Sequence, residues 1–412
     1  MEANFCRVRA AYNLEMCATS PRACPKILGI KSGLSRSLSG VIRGTGIRLL
    51  NLFRPTYSYT ATANPLTALG LQHHLRSNPL VRCAYPTYHT DMSQSPATTE
   101  RLTPRPVPDN LVSVQPGGGF CYSVELAWGR LRRWYLKRFR PGYVRHMAQR
   151  MHGSAEGAPH EVLDPRDLKY CWNRCTAWWP EADDPFRWRE RIPLARWGLA
   201  EVQIMGWPLL LLTAIPALFG PWFSLLGLGP LVIFGWLLYF FRDPTRRVPE
   251  GDGVIVAPAD GKVVDVTELP HDEYVGGPAM RIGIFLSIFN VHINRAPCAA
   301  RVIELRYHPG LFLNALNPDS AERNESLWIG LEGTTAPYRR IVVRQIAGLI
   351  ARRIVCAARP GQVLTAGEKF GMIKLGSRTE LILPLSPDLT VEVRPGDKIQ
   401  AGATVMARYQ TG

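Results

Sequence analysis

The alternation of hydrophobic and polar positions changes character along this chain. Between Met205 and Phe241 it stops: MGWPLLLLTAIPALFGPWFSLLGLGPLVIFGWLLYFF holds 37 residues without a charge. A membrane-spanning helix needs about 20 apolar residues, and two with a turn need about 40 or more. Pro208, Pro216, Pro221 and Pro230 interrupt the run. The pattern therefore predicts either one span over about 222–241 or a short helical hairpin dipping into one leaflet. Trp207, Trp222, Trp236 and Tyr239 suit interface depth, and Arg242, Arg246 and Arg247 suit a cytoplasmic-side flank. A core helix of a soluble protein rarely runs so long without charge.

After residue 250 the apolar runs are short and rich in Val and Ile, as in GVIVAP, KVVDVTEL, RRIVVRQIAG and ELILPL, with Asp-Gly, Pro-Gly and Ala-Gly breaks. This predicts a compact, mostly β domain. VEVRPGDKIQAGATVMARY has the strand–turn–strand look of a lipoyl-type barrel sandwich, a topological likeness only. Before the apolar stretch, residues 125–150 interleave Leu, Trp, Tyr and Phe with Arg and Lys. Such a helix suits an anionic membrane surface or a nucleic acid; the apolar run that follows favours the membrane. Residues 163–190 are Trp-rich and carry no recognisable chemistry. Residues 92–119 read as a Pro/Ser/Thr/Gly linker.

Charge divides the 412 residues unevenly. Residues 1–200 hold 28 basic and 14 acidic side chains, a net +14, whereas the remainder is near neutral at +2. No acidic residue lies between Glu15 and Asp91. That acid-poor, Arg/Ser-rich stretch has the composition of an organellar transit peptide; a disordered tail, or sequence ahead of the true coding start, is the simpler reading. The organisation read from sequence is thus 1–120 a low-complexity, disordered basic extension; 121–200 a basic, Trp-rich helical region; 201–245 a hydrophobic membrane segment; and 246–412 the mostly β domain. The expected fold class is α+β, its mostly β domain of barrel-sandwich character preceded by the apolar helical segment and the extension.

Nine cysteines, seven of them in the first 200 residues, show no metal-ligand spacing. Their odd number and the absence of a clear secretory signal argue against a disulfide framework. Three other positions attract attention. Asp260 stands in VIVAPADGKVVDV, where Asp-Gly between apolar runs is by itself a turn signal. His292 lies in the apolar stretch IFLSIFNVHINRAP, and Gly376-Ser377 in FGMIKLGSRTELILPL, which is not a Gly-x-Ser-x-Gly elbow.

Taken together and in order, WLLYFFRDPTRRVP, VIVAPADGKV, IGIFLSIFNVHINRAP, YHPGLFLNALNPDSAERNES and FGMIKLGSRTELILP resemble the phosphatidylserine decarboxylase proenzymes of the short, bacterial type, over about 190–412. The resemblance implies a self-processing enzyme. Ser377 Oγ would attack the Gly376 carbonyl, with His292 as base and Asp260 orienting the imidazole as in a Ser-His-Asp triad. Cleavage would leave a β chain ending at 376 and an α chain, 377–412, headed by a pyruvoyl group made from Ser377. That group would form a Schiff base with phosphatidylserine and draw electrons from Cα as CO₂ leaves, with His292 returning the proton, to give phosphatidylethanolamine. The partners implied are the lipid substrate, the surrounding membrane lipids and the two chains of one precursor, at the cytoplasmic face of the cell's inner membrane. Neither a resident metal nor a nucleic acid is expected, and homo-oligomerisation is left open. Leu-Gly-Ser-Arg replaces the Leu-Gly-Ser-Thr of the long form, which raises whether Arg378 touches substrate. The NPDSAERNES block has no assigned role. Rival readings are a membrane-anchored serine hydrolase using Ser377, His292 and Asp260, a lipoyl-like binding module, and a nucleic-acid binder built on residues 130–150.

Overall fold

A computed structural model describes residues 100–314, 320–349, 353–374 and 376–410. The acid-poor stretch, with Cys6, Cys17, Cys24 and Cys83, lies outside the described residues. The described chain is mixed α/β. Helices α1 (Phe120–Phe139) and α2 (Pro141–Gln149) lead into a region of short 3₁₀ turns, followed by α3 (Leu199–Ala214) and α4 (Leu228–Phe240). The strands then run β1 (Val254–Val256), β2 (Gly261–Asp272), β3 (Gly277–Leu286), β4 (Ile293–Arg295), β5 (Ala300–His308), β6 (Ser326–Gly333) and β7 (Arg340–Ala347). They continue as β8 (Arg353–Cys356), β9 (Val363–Leu364), β10 (Lys369–Lys374), β11 (Ser377–Pro384), β12 (Leu389–Val391), β13 (Lys398–Ile399) and β14 (Val405–Tyr409).

A curled eight-stranded sheet, β13-β2-β3-β11-β7-β6-β5-β9, forms the frame, and two three-stranded sheets, β4-β10-β8 and β1-β14-β12, accompany it. Alternation decides which face each residue serves. Along β11, Leu381 and Leu383 join the main core with Ile282, Ile284, Val343 and Ile329, which puts Ser377 and Thr379 on that same face. Arg378 and Glu380 point the other way, pair with each other at 3.0 Å, and reach Asp265 and Arg344. Arg378 is therefore paired with carboxylates on the sheet face opposite Ser377.

The apolar segment forms a helical hairpin. Two stretches, Arg196–Phe219 and Phe223–Phe240, are long and apolar enough to cross a membrane. Gly206 sits where a Cβ would come within 2.9 Å of the Phe234 ring, so the two helices approach closely there. The hairpin ends meet: Ala195 N donates to Phe241 O at 2.7 Å, Asp243 N donates to Pro193 O at 3.0 Å, and Leu194 and Arg242 form an antiparallel bridge. The chain thus returns to the place from which it left, the geometry of the hairpin alternative rather than of one helix over 222–241. Outward side chains are bare, Leu218 and Trp222 each being 82% exposed.

Residues 100–119 correct the linker reading. Leu111 is fully buried in the main core. Arg105 N donates to Ile303 O and Cys356 N to Val114 O, both at 2.8 Å. Apolar residues at 107, 111 and 114 supply the anchoring that a Pro-rich composition concealed. Cys171 and Cys175 pack with Met147, Leu168 and Trp179 in a satellite core as free thiols. If the strap is integral, Leu111→Ala should lower the unfolding free energy by about 2–5 kcal/mol in chemical denaturation of the detergent-solubilised protein; an unchanged midpoint would show that residues 100–119 are dispensable.

Candidate active site

The Gly376-Ser377 pair opens β11 in the middle of the large sheet. Ser377 is fully buried between Leu286 on β3 and Ala347 on β7, and its Oγ has no hydrogen-bond partner among the described residues. Buried hydroxyls are normally satisfied, which sets this one apart. Gly376 has φ 59°, a left-handed conformation that costs an L side chain about 1–2 kcal/mol. A glycine removes that penalty and leaves the hydroxyl room to approach the preceding carbonyl.

His292 reaches this peptide from the side. Its Nε2 accepts the Gly376 N–H at 3.1 Å, and its Nδ1 lies 2.9 Å from Asn290 O. An accepting Nε2 and a carbonyl beside Nδ1 require the neutral imidazole protonated at Nδ1. The Asn290 carbonyl is fixed by a turn, in which Asn290 Oδ1 accepts from the Ser287 amide and hydroxyl at 2.9 and 2.7 Å. The Phe240 ring, last residue of α4, covers the imidazole with centroids 4.5 Å apart. Burial pushes the His292 pKa down to about 4, against the Asn290 hydrogen bond, and the Arg242 charge adds to the lowering.

Asp260 is hydrogen-bonded to neither residue of this pair. Its Oδ2 accepts from Arg246 at 2.8 Å and its Oδ1 from Ala401 N at 2.8 Å. Burial raises its pKa; the Ala401 amide, Arg246, Arg242 and finally the Val291 amide oppose the rise. The three residues are therefore not joined as a hydrogen-bonded triad. Asp260 spends its oxygens on an arginine and a backbone amide, while the imidazole nitrogen it was expected to orient is served by Asn290. His292 likewise meets the Gly376 amide rather than the Ser377 hydroxyl. Arg295, which follows the histidine strand, is taken up by Gly367 O, Pro244 O and Asp243.

Other residues at the site were not assigned from sequence. Asn324 donates to Leu313 O and to Ala347 O at 2.9 and 2.7 Å, clamping the 309–325 loop beside the residue that pairs with Ser377. Next to it Glu325 is buried with one orphaned oxygen, and burial pushes its pKa up to about 7, with Arg353 opposing. Residues 315–319 of that loop lie outside the described residues. Lys374, three residues before Ser377, bonds Gln115 at 2.9 Å and Glu201 at the start of the hairpin at 2.5 Å. An Asn-Glu pair in the loop block was the visible signal for the first two. The lysine's partners lie 173 and 259 residues away, beyond any local pattern.

The depressed imidazole has a consequence for stability. Unfolded, His292 titrates near 6.5; folded, it refuses a proton until about pH 4. Its contribution is complete above about pH 6.5 and is lost as pH falls toward 4, by up to about 3 kcal/mol. Unfolding measured over that range should fall less steeply for His292→Asn than for the unmutated protein. Parallel curves would show that the imidazole is not held neutral.

Comparison with known proteins identifies the family. A family model described as phosphatidylserine decarboxylase matches residues 233–407. A phosphatidylserine decarboxylase proenzyme from Rhodopirellula baltica is 49% identical over 246 residues, covering 60% of this chain and all of that protein. Proenzymes of the same description from Carboxydothermus hydrogenoformans and Symbiobacterium thermophilum are 43% and 45% identical over 54% and 49% of this chain, and over 99% and 93% of their own lengths. With relatives covered end to end at this identity, and with Gly376, Ser377 and His292 gathered at one strand end, the chain belongs to the phosphatidylserine decarboxylase family.

Proposed function

We propose that this protein is a self-processing, pyruvoyl-dependent decarboxylase that converts phosphatidylserine to phosphatidylethanolamine at a membrane. The observation that carries the reading is the orphaned, fully buried Ser377 Oγ beside a left-handed Gly376 whose amide is held by a neutral histidine. The hydroxyl attacks the Gly376 carbonyl carbon, the new C–O bond replaces the peptide C–N bond, and the proton passes to the released nitrogen. A neutral imidazole can take such a proton, and His292 does so by exchanging the Gly376 N–H for the hydroxyl one residue along. Loss of the residue 377 Cα proton then expels the ester as the new C-terminus of the 1–376 chain. Hydrolysis of the dehydroalanine that remains, with release of ammonia, leaves a ketone at the head of 377–412.

The residues present fit such a group. Ala347 beside position 377 is small, which suits the methyl that Cβ would become once Oγ has left with the Gly376 carboxylate; the ketone oxygen would come from water and take the place of the released nitrogen on Cα. A pyruvoyl group at this position supplies a carbonyl for the substrate amine and an electron sink for the departing carboxylate. Asp260 is a positioning residue in this reading, tying the 242–247 segment to the loop before His292 through Arg246. The exposed apolar hairpin is the membrane anchor, since bare apolar surface of this size is otherwise a liability in water. Its two ends adjoin Arg189, Arg191, Arg196, Arg242, Arg246 and Arg247, which favours the cytoplasmic side.

Intact mass spectrometry should find the purified protein in two chains, 1–376 and 377–412, the second with a blocked terminus that reacts with carbonyl reagents. Ser377→Ala should remain one chain and lose decarboxylation. An uncut, active wild-type protein would refute self-processing, and a cut Ser377→Ala chain would refute the nucleophile.

A further inference from the structure

A cavity of about 380 Å³ opens where the basic, Trp-rich 121–200 region meets the base of the hairpin, remote in sequence from Ser377. Six cationic side chains line it: Arg132, Arg133, Arg166, Lys169, Arg189 and Arg196. Their carboxylate partners are fewer. Arg132 and Arg133 share Asp167, Arg166 takes Asp164, Lys169 takes Glu125, and Arg196 takes Glu190. Arg189 meets no carboxylate among the described residues; its guanidinium lies near the rings of Phe186 and Trp188, at 5.1 and 5.7 Å. The cavity thus carries an uncompensated positive charge at a half-buried guanidinium.

The remaining wall is apolar and comes from the hairpin itself, through Leu199, Ala200 and Ile204 of α3. Trp128 and Trp188 line the same cavity and are 63% and 55% exposed. A cationic floor, an apolar wall running onto a bare apolar helix, and exposed tryptophans beside them match one ligand chemistry: a phosphate group carrying acyl chains. Inorganic phosphate would use the floor but leave the wall and the tryptophans without function. Burial and repulsion from Arg166, Arg196 and Arg132 lower the Arg189 pKa, in keeping with a site that lacks its counter-ion.

We propose that this cavity is a binding site for the phosphodiester headgroup of an anionic phospholipid, separate from the decarboxylation centre, with Arg189 as its principal ligand. The proposal rests on the reading of the hairpin as a membrane anchor. The test uses the full-length protein and flotation with vesicles of phosphatidylcholine alone or with added phosphatidylglycerol, which is not a substrate. Phosphatidylglycerol should tighten binding of the unmutated protein. Arg189→Gln should weaken that binding about five-fold, the worth of one basic side chain near an anionic surface at about 1 kcal/mol. Arg189→Lys should retain most of it. Arg145→Gln, which removes the same charge from an exposed position outside the cavity, should lose less. Equal losses for Arg145→Gln and Arg189→Gln would overturn the site. So would competition by millimolar inorganic phosphate that abolishes the phosphatidylglycerol preference, which would identify a free-anion site. Failure of the unmutated protein to float with either vesicle would instead strike the anchor reading on which the site depends.

Discussion

The contact between Phe240 and His292 is the constraint on which the arrangement turns. Phe240 ends the second hairpin helix, and the imidazole it covers holds the Gly376 amide. One aromatic ring thereby links the segment proposed to enter the bilayer to the peptide proposed to break. Burying a phenylalanine stabilises by about 1.5–3 kcal/mol, and here the same burial removes water from the histidine. The cost of charging the imidazole in that setting keeps it neutral, and a neutral imidazole is the form that can receive a proton. The proposed anchor and the proposed base are therefore set by one packing event.

Around that contact, charges are spent on alignment. Arg242 donates to the carbonyl oxygens of Tyr239 and Phe289, joining the hairpin exit to the loop before the histidine. Arg246 holds Asp260, and Asp243 takes both Arg295 and Lys369. On the other side Lys374 bridges Glu201 and the strap residue Gln115. Removing one member of such a pair leaves a buried charge uncompensated, which costs far more than an exposed ion pair is worth. The segment before Ser377 is thus tied to the hairpin entrance and the segment around His292 to its exit. The scissile strand end has little freedom except at the glycine itself.

Part of this was legible in the sequence, for physical reasons. A long uncharged run records apolar helices, and short Val/Ile runs with glycine breaks record strands. Gly376, Ser377 and His292 were visible because their blocks resemble a family, and the structure gathers them. Asp260 was visible too, but the partner expected for it was not the one found. Asn290 serves His292 with a backbone carbonyl, a group every residue carries, so no side-chain pattern announces it. The 100–119 strap looked like a linker because its Pro, Ser and Gly outnumber Leu111 and Val114, although those two residues decide its packing. The hairpin reading became distinct from the single span only through Ala195, Leu194 and Phe241, whose pairing joins residues more than 40 positions apart.

The most direct test of this account is the rate at which newly made precursor is cut in Phe240→Ala, set against Val232→Ala on an exposed face of the same helix. If Phe240 holds His292 against the scissile peptide, Phe240→Ala should accumulate uncut chain while Val232→Ala processes normally. Equal processing of both variants would contradict the claim that the hairpin base sets the geometry of the reacting peptide.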